Sequence, residues 1–167
     1  MNVEHLMQRA VETCTPETTL TDASMVMWRR DCGFVPVVEQ REGRLVGIVT
    51  DRDICMATAT RHLAPDAIRV EDVMTRGGIT CAPGESIHAA AHRMAESQVR
   101  RLPVIDLDRR VVGILSLNDL ALSCEPTRGR AEGLSYADVM GVLKAVSAHR
   151  IGAIEPIPTP PPTPSPR

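Results

Sequence analysis

Leu45-Val46-Gly47-Ile48-Val49-Thr50-Asp51-Arg52-Asp53-Ile54 and Val111-Val112-Gly113-Ile114-Leu115-Ser116-Leu117-Asn118-Asp119-Leu120 are one phrase written twice: an apolar run broken by glycine, then a hydroxyl residue, then an aspartate three positions on. Upstream of both copies the match continues. Residues 3 to 38 fall on residues 70 to 105 without a gap and are identical at 11 of 36 positions, among them Val3/Val70, Met7/Met74, Thr13/Thr80, Cys14/Cys81, Pro16/Pro83, Met27/Met94, Pro36/Pro103 and Val37/Val104. A unit of about sixty residues is too long for a solenoid repeat and about the size of a subdomain, so two copies are expected to pack as a pseudo-twofold pair. Two related sites are expected with them.

Each copy has the same punctuation. A short apolar turn (Val3 to Met7; Val70 to Met74) precedes an extended stretch that ends in proline (Val11 to Pro16; Ile79 to Pro83), a residue that disfavours helix before it. Leu20, Ala23 and Met27, like Ile87, Ala90 and Met94, recur at i, i+3 and i+7, the mark of a helix with one buried face. Two strands follow, Gly33 to Val38 and Leu45 to Val49, or Arg101 to Ile105 and Val111 to Leu115, and a second helix starts after Thr50 or Ser116. The fold class is therefore α+β, each repeat reading strand, helix, strand, strand, helix. The boundaries are 1–62 for the first repeat and 68–124 for the second.

Polar residues 125–133 read as a connector. Residues 134–152 read as a further helix, in which Tyr136, Val139, Met140, Leu143 and Val146 make an apolar stripe suited to covering an exposed face or a dimer seam. The last stretch, 153–167, carries seven prolines in the twelve residues from Pro156, a composition expected to be disordered or polyproline-like.

Composition narrows the function. A length of 167 residues is one domain by the usual prior of roughly 100 to 200, and with only Trp28, Phe34 and Tyr136 aromatic the core must be aliphatic and rich in methionine. The 19 basic and 21 acidic residues form no cationic stripe, so nucleic acid is not expected as a partner. No apolar run approaches 18 residues and no signal peptide opens the chain, so neither a membrane nor export is expected and the protein reads as cytoplasmic. Five scattered cysteines without a C-x-x-C pair fit reduced thiols. His88 and His92 share a helix face without a third ligand, and no nucleophile elbow or phosphate loop is present, so no catalytic or metal site is expected.

The chemistry lies in Thr50-x-x-Asp53 and Ser116-x-x-Asp119. Read locally, each is a capping box that satisfies the first turn of a helix. Read as a binding element, each offers an ionised carboxylate that accepts two hydroxyl donors, a hydroxyl for a phosphate oxygen, and the unpaired N–H groups of a helix start. Both readings stand on the residues alone.

The phrase G-h-h-[T/S]-x-x-D (h, apolar), the h-P-V strands Val35-Pro36-Val37 and Leu102-Pro103-Val104, and their duplication together resemble the CBS domain in its tandem form, the Bateman module. The resemblance covers residues 1 to about 123. It implies adenosine-nucleotide binding in the cleft between repeats (AMP, ADP or ATP, with S-adenosylmethionine or NAD as other adenosine compounds), no required cofactor, and Asp53 and Asp119 as ribose ligands. Thr50 and Ser116 would serve the phosphates, and Val35, Leu102, Thr13 and Thr80 would flank the base. It also implies a homodimer and a regulated effector protein.

The copies differ where Arg100 and Arg101 stand in place of Gly33 and Phe34. Two guanidinium groups beside a pocket neutralise phosphate, so one strong, phosphate-capable site and one weaker or empty site are expected. The leading expectation is a stand-alone regulatory module that is not an enzyme. The alternatives are a non-ligand-binding scaffold whose dimer surface, C-terminal helix or proline-rich tail recruits another protein, and a thiol or metal sensor built on Cys14 and Cys81.

Overall fold

Thr19 opens the first regular element: its hydroxyl oxygen accepts the Asp22 N–H at 3.1 Å, and α1 (Leu20–Arg29) buries Leu20, Ala23 and Met27 as the periodicity predicts. A hairpin of β1 (Phe34–Val38) and β2 (Leu45–Thr50) follows, then α2 (Asp51–Arg61). The computed structural model describes residues 1–124 and 133–148. In its second half, α3 (Ile87–Ser97) buries Ile87, Ala90, Ala91 and Met94, and β4 (Arg101–Ile105) and β5 (Val111–Ser116) lead into α4 (Leu117–Ser123). The α+β architecture and the duplication are as expected.

The hairpins have matching registers. Phe34 stands opposite Thr50 and Arg101 opposite Ser116, and each pairing shifts one residue before its end, at Val37/Val38 and at Val104/Ile105. The expected leading strands are reduced to single parallel bridges, Cys14 to Val37 and Cys81 to Val104. There Cys14 donates its N–H to Pro36 O (3.1 Å) and accepts from Val38 (2.8 Å), and Cys81 repeats this with Pro103 and Ile105. Pro16 and Pro83, lacking an N–H, stand two residues beyond these bridges, where a longer ladder would need a donor.

One feature of the packing is not legible in the repeat. The turn that begins each copy leaves its own copy and completes the other's core. Val3 and Met7 lie in a cluster with Ile87, Met94, Leu102, Val104, Leu115 and Leu120, whereas Ile68, Val70 and Met74 lie with Leu20, Met27, Val35, Val37 and Val49. Glycine permits the crossing. A Cβ on Gly113 would stand 2.7 Å from Met7 Sδ and 3.1 Å from Gln8 O, and one on Gly47 would stand 2.8 Å from Met74 Sδ and 2.9 Å from Thr75 O. The incoming segments then pair with the sheets: β3 (Thr75–Arg76) joins β2, and Gln8 exchanges two 2.9 Å backbone bonds with Ile114 of β5.

The expected C-terminal helix is α5 (Tyr136–Ser147), started by Ser135, whose hydroxyl oxygen accepts the Asp138 N–H at 3.2 Å. It covers an apolar face, as anticipated, and the face is that of the second half: Leu134, Val139 and Val142 join the core cluster of Leu120 and Met94, and α5 packs on α3 and α4. Gln98 Nε2 donates to Ala145 O (3.1 Å) and Ala148 O (3.2 Å), closing the end of the helix. Most of the connector, residues 149–152 and the proline-rich stretch 153–167 lie outside the described residues.

Candidate functional site

Both capping boxes form. Asp53 Oδ2 accepts the Thr50 N–H (2.9 Å) and the Thr50 hydroxyl (2.7 Å), while the Asp53 N–H returns to Thr50 Oγ1 at 3.2 Å. In the second half Asp119 Oδ2 accepts the Ser116 N–H (2.7 Å) and hydroxyl (2.6 Å), and the Asp119 N–H returns to Ser116 Oγ at 3.2 Å. The local reading is therefore met in full, and it limits the binding reading. A hydroxyl has one proton. Those of Thr50 and Ser116 go to the aspartates, so either donates to a phosphate only by giving up its hydroxyl bond to the carboxylate.

The second oxygen of each carboxylate differs. Asp119 Oδ1 accepts Gln8 Nε2 at 3.0 Å; Asp53 Oδ1 accepts no hydrogen bond among the described residues. Both aspartates are half-buried.

Arg100, Arg101 and Ser116 share a cavity of about 270 Å³ with Leu117, Asn118 and Leu143 of α5. Asp119 is not among its lining residues. No ion pair holds either arginine among the described residues. In the first half the corresponding charge is inverted: Gly33 replaces Arg100, and a side chain at that position would collide with the carboxylate of Asp51.

The remaining expected residues do not line the cavity of Arg100 and Arg101. Val35 and Leu102 are 1% and 0% exposed, so their side chains belong to the two cores rather than to a surface. Thr13 is exposed. Thr80 is half-buried, and its carbonyl accepts Arg93 Nη1. Sequence reasoning passed over Gln8, because its role depends on the exchange of leading segments between halves. It also passed over the groove between α1 and α2, about 500 Å³ lined by Ser24, Met27, Trp28, Asp31, Cys32, Gly33, Asp51, Ile54 and Cys55. Its equivalent in the second half, between α3 and α4, is where α5 lies.

Two buried thiols are shifted above their ordinary range. Burial pushes Cys14 up to about 11, and burial together with Glu85 pushes Cys81 up to about 12, against the opposing charge of Arg93. The thiolate is the nucleophile and the metal ligand, so burial lowers the fraction of each thiol in its reactive form. Among the described residues no three His, Cys, Asp or Glu side chains are grouped to hold a metal, and no helix is long and apolar enough to cross a membrane.

Fold and site together define a duplicated α+β module with paired carboxylates at the starts of its second and fourth helices. The CBS-domain family model matches residues 3–59 and again 70–124, and the chain belongs to that family as a tandem pair. The CBS domain-containing protein YhcV of Bacillus subtilis is 37% identical over 122 residues, 73% of this chain and 84% of YhcV. The CBS domain pair of protein MJ0100, solved in complex with 5′-methylthioadenosine and S-adenosyl-L-methionine, is similar with a TM-score of 0.66 and 28% identity over 73% of this chain and 94% of that one. CBSX2 in complex with AMP is similar with a TM-score of 0.62 and 25% identity over 72% and 93%.

Proposed function

We propose that the protein is a regulatory CBS pair that binds an adenosine-containing ligand of the AMP, ADP or ATP class, with Asp53 and Asp119 taking the ribose hydroxyls, and passes occupancy to an effector protein. The observation that carries this reading is the disposition of the carboxylates. In each half one oxygen is fixed by the cap, so the other is held in a set direction where an acceptor-only group can meet hydroxyl donors. Similarity to CBS pairs solved with adenosine compounds supports the ligand class. Arg100 and Arg101 support a phosphorylated ligand in the second half, whereas Asp51 beside Gly33 favours an uncharged or cationic adenosine compound in the first.

The test is calorimetric titration of AMP, ADP, ATP, S-adenosylmethionine and NAD against wild type, Asp53→Ala and Asp119→Ala, each variant first shown to be folded by melting. Heat from at least one compound, lost from one site in each variant, is expected. Absence of heat with all five refutes the ligand class, and binding unchanged in both variants refutes the site.

A homodimer belongs to the same proposal. Trp28 is 83% exposed beside the open α1/α2 groove, while α5 covers the equivalent face of the second half, so the first half offers the seam. Sedimentation is expected to give a dimer that Trp28→Glu dissociates; a wild-type monomer at micromolar concentration refutes this part. The described cysteines are all free, which fits a reducing compartment such as the cytoplasm.

A further inference from the structure

We infer that Gln8 is the specificity-determining residue at the second carboxylate: it occupies one of the two hydroxyl-accepting positions left on Asp119 Oδ1 and so separates the affinities of the two halves. The inference rests on the adenosine reading above and goes beyond it by naming which carboxylate is open. A carboxylate oxygen has two lone-pair sites. On both aspartates Oδ2 is filled by the N–H and O–H of the capping residue, so a ribose diol can address only Oδ1. Asp53 Oδ1 keeps both positions for the two hydroxyls. Asp119 Oδ1 has given one to Gln8 Nε2 at 3.0 Å.

Gln8 reaches Asp119 because its backbone is fixed. It accepts from Ile114 N and donates to Ile114 O, each at 2.9 Å, and the missing Cβ of Gly113 lets the segment lie against β5. The residue in the same place in the first half is Thr75, paired with Ile48 as Gln8 is with Ile114 and admitted by Gly47 in the same way. Its side chain is two atoms shorter and makes no hydrogen bond to Asp53. The backbone is thus equivalent and only the side chain differs.

In an Asp53→Ala background, where calorimetry reads the second pocket alone, three chains are compared: unchanged at residue 8, Gln8→Ala, and Gln8→Thr, which imports the residue of the first half. Each is titrated with AMP and with 2′-deoxy-AMP. With Gln8 present the two ligands are expected to bind within about threefold of one another, since one acceptor position serves one hydroxyl. Both substitutions are expected to tighten AMP about tenfold, the scale of one hydrogen bond to a charged group on an exposed surface, and to leave 2′-deoxy-AMP within threefold. AMP affinity unchanged in both substituted chains, or both ligands tightened equally, overturns the role of Gln8 while leaving the adenosine reading intact. Heat from AMP in wild type but in none of the three chains overturns the role of Gln8, and no heat in wild type either overturns both. Two substitutions at an exposed position keep the result independent of a folding defect in either, and melting within about 2 °C of the parent verifies it.

Discussion

Val3→Ala is expected to destabilise the half of the molecule to which Val3 does not belong by sequence. Val3 is fully buried, donates its N–H to Glu85 O at 2.9 Å, and lies in the cluster of Ile87, Met94 and Leu115. Removing two methyl groups costs about 1.6 kcal/mol in transfer at about 0.8 kcal/mol each. The unfilled space raises the total to about 2–3 kcal/mol. Urea unfolding followed by circular dichroism should show that loss as a lower midpoint with unchanged slope. A double-mutant cycle locates it. Val3→Ala with Ile87→Val should couple by about 0.5 kcal/mol or more, whereas Val3→Ala with Val37→Ala, in the other core, should add within about 0.5 kcal/mol. Coupling to Val37 in place of Ile87 would refute the exchange of leading segments, as would a single-mutant loss below about 0.5 kcal/mol.

The same crossing makes Gly47→Ala costly: its Cβ meets Met74 Sδ and the Thr75 carbonyl, one of them backbone, so a loss of about 1–3 kcal/mol is expected by denaturant titration. Ser135→Ala removes the hydroxyl that caps α5 and should cost about 1 kcal/mol, read as faster hydrogen exchange at the amides of α5 with β1 and β2 unaffected. The buried thiols give a pH dependence. A thiol raised from 9.0 unfolded to about 11 or 12 folded stabilises the protein fully below pH 9 and loses that stability as pH rises through the folded values. Melting temperatures under reducing conditions should therefore fall between pH 9 and 10.5 more steeply in wild type than in Cys81→Ala, and equal slopes would contradict it. Under native conditions at pH 8, Cys55, which is exposed, should react with a disulfide reagent well before Cys14 and Cys81.

What the sequence makes legible is whatever depends on neighbours in the chain. The stripes of α1 and α3 are local periodicities, the caps at Thr50 and Ser116 are local hydrogen bonds, and all form where the letters place them. What it hides depends on which copy a segment packs against. Two copies with the same pattern offer two equally apolar docking positions for Val3 to Met7, and nothing in the pattern chooses between them. Gly113 and Gly47 admit a crossing segment equally in either copy, so they permit the exchange without choosing it, and each reads as an ordinary strand glycine until that segment is seen over it. Val35 and Leu102 show the converse. Their resemblance to base-flanking positions is sound as pattern, yet a side chain with no exposed surface contacts other core residues first.

The exchange also bears on how occupancy can reach a partner. The segment carrying Gln8 belongs to the first repeat in sequence, to the second core through Val3 and Met7, and to the second carboxylate through its own side chain. A ligand hydroxyl on the position of Asp119 beside Gln8 would act next to a segment tied to both halves, and it could shift their relative arrangement by no more than its differential affinity for the two states. Among the described residues the α1/α2 groove, on the half that the segment leads into, is open, whereas α5 covers the other, so that groove is a helical face on which a change in arrangement can be read. If that route operates, shortening the link between Gln8 and α1 by deleting Ala10 should alter the dimerisation constant in the presence of AMP more than in its absence. An equal effect with and without nucleotide, measured by sedimentation, would place the coupling elsewhere.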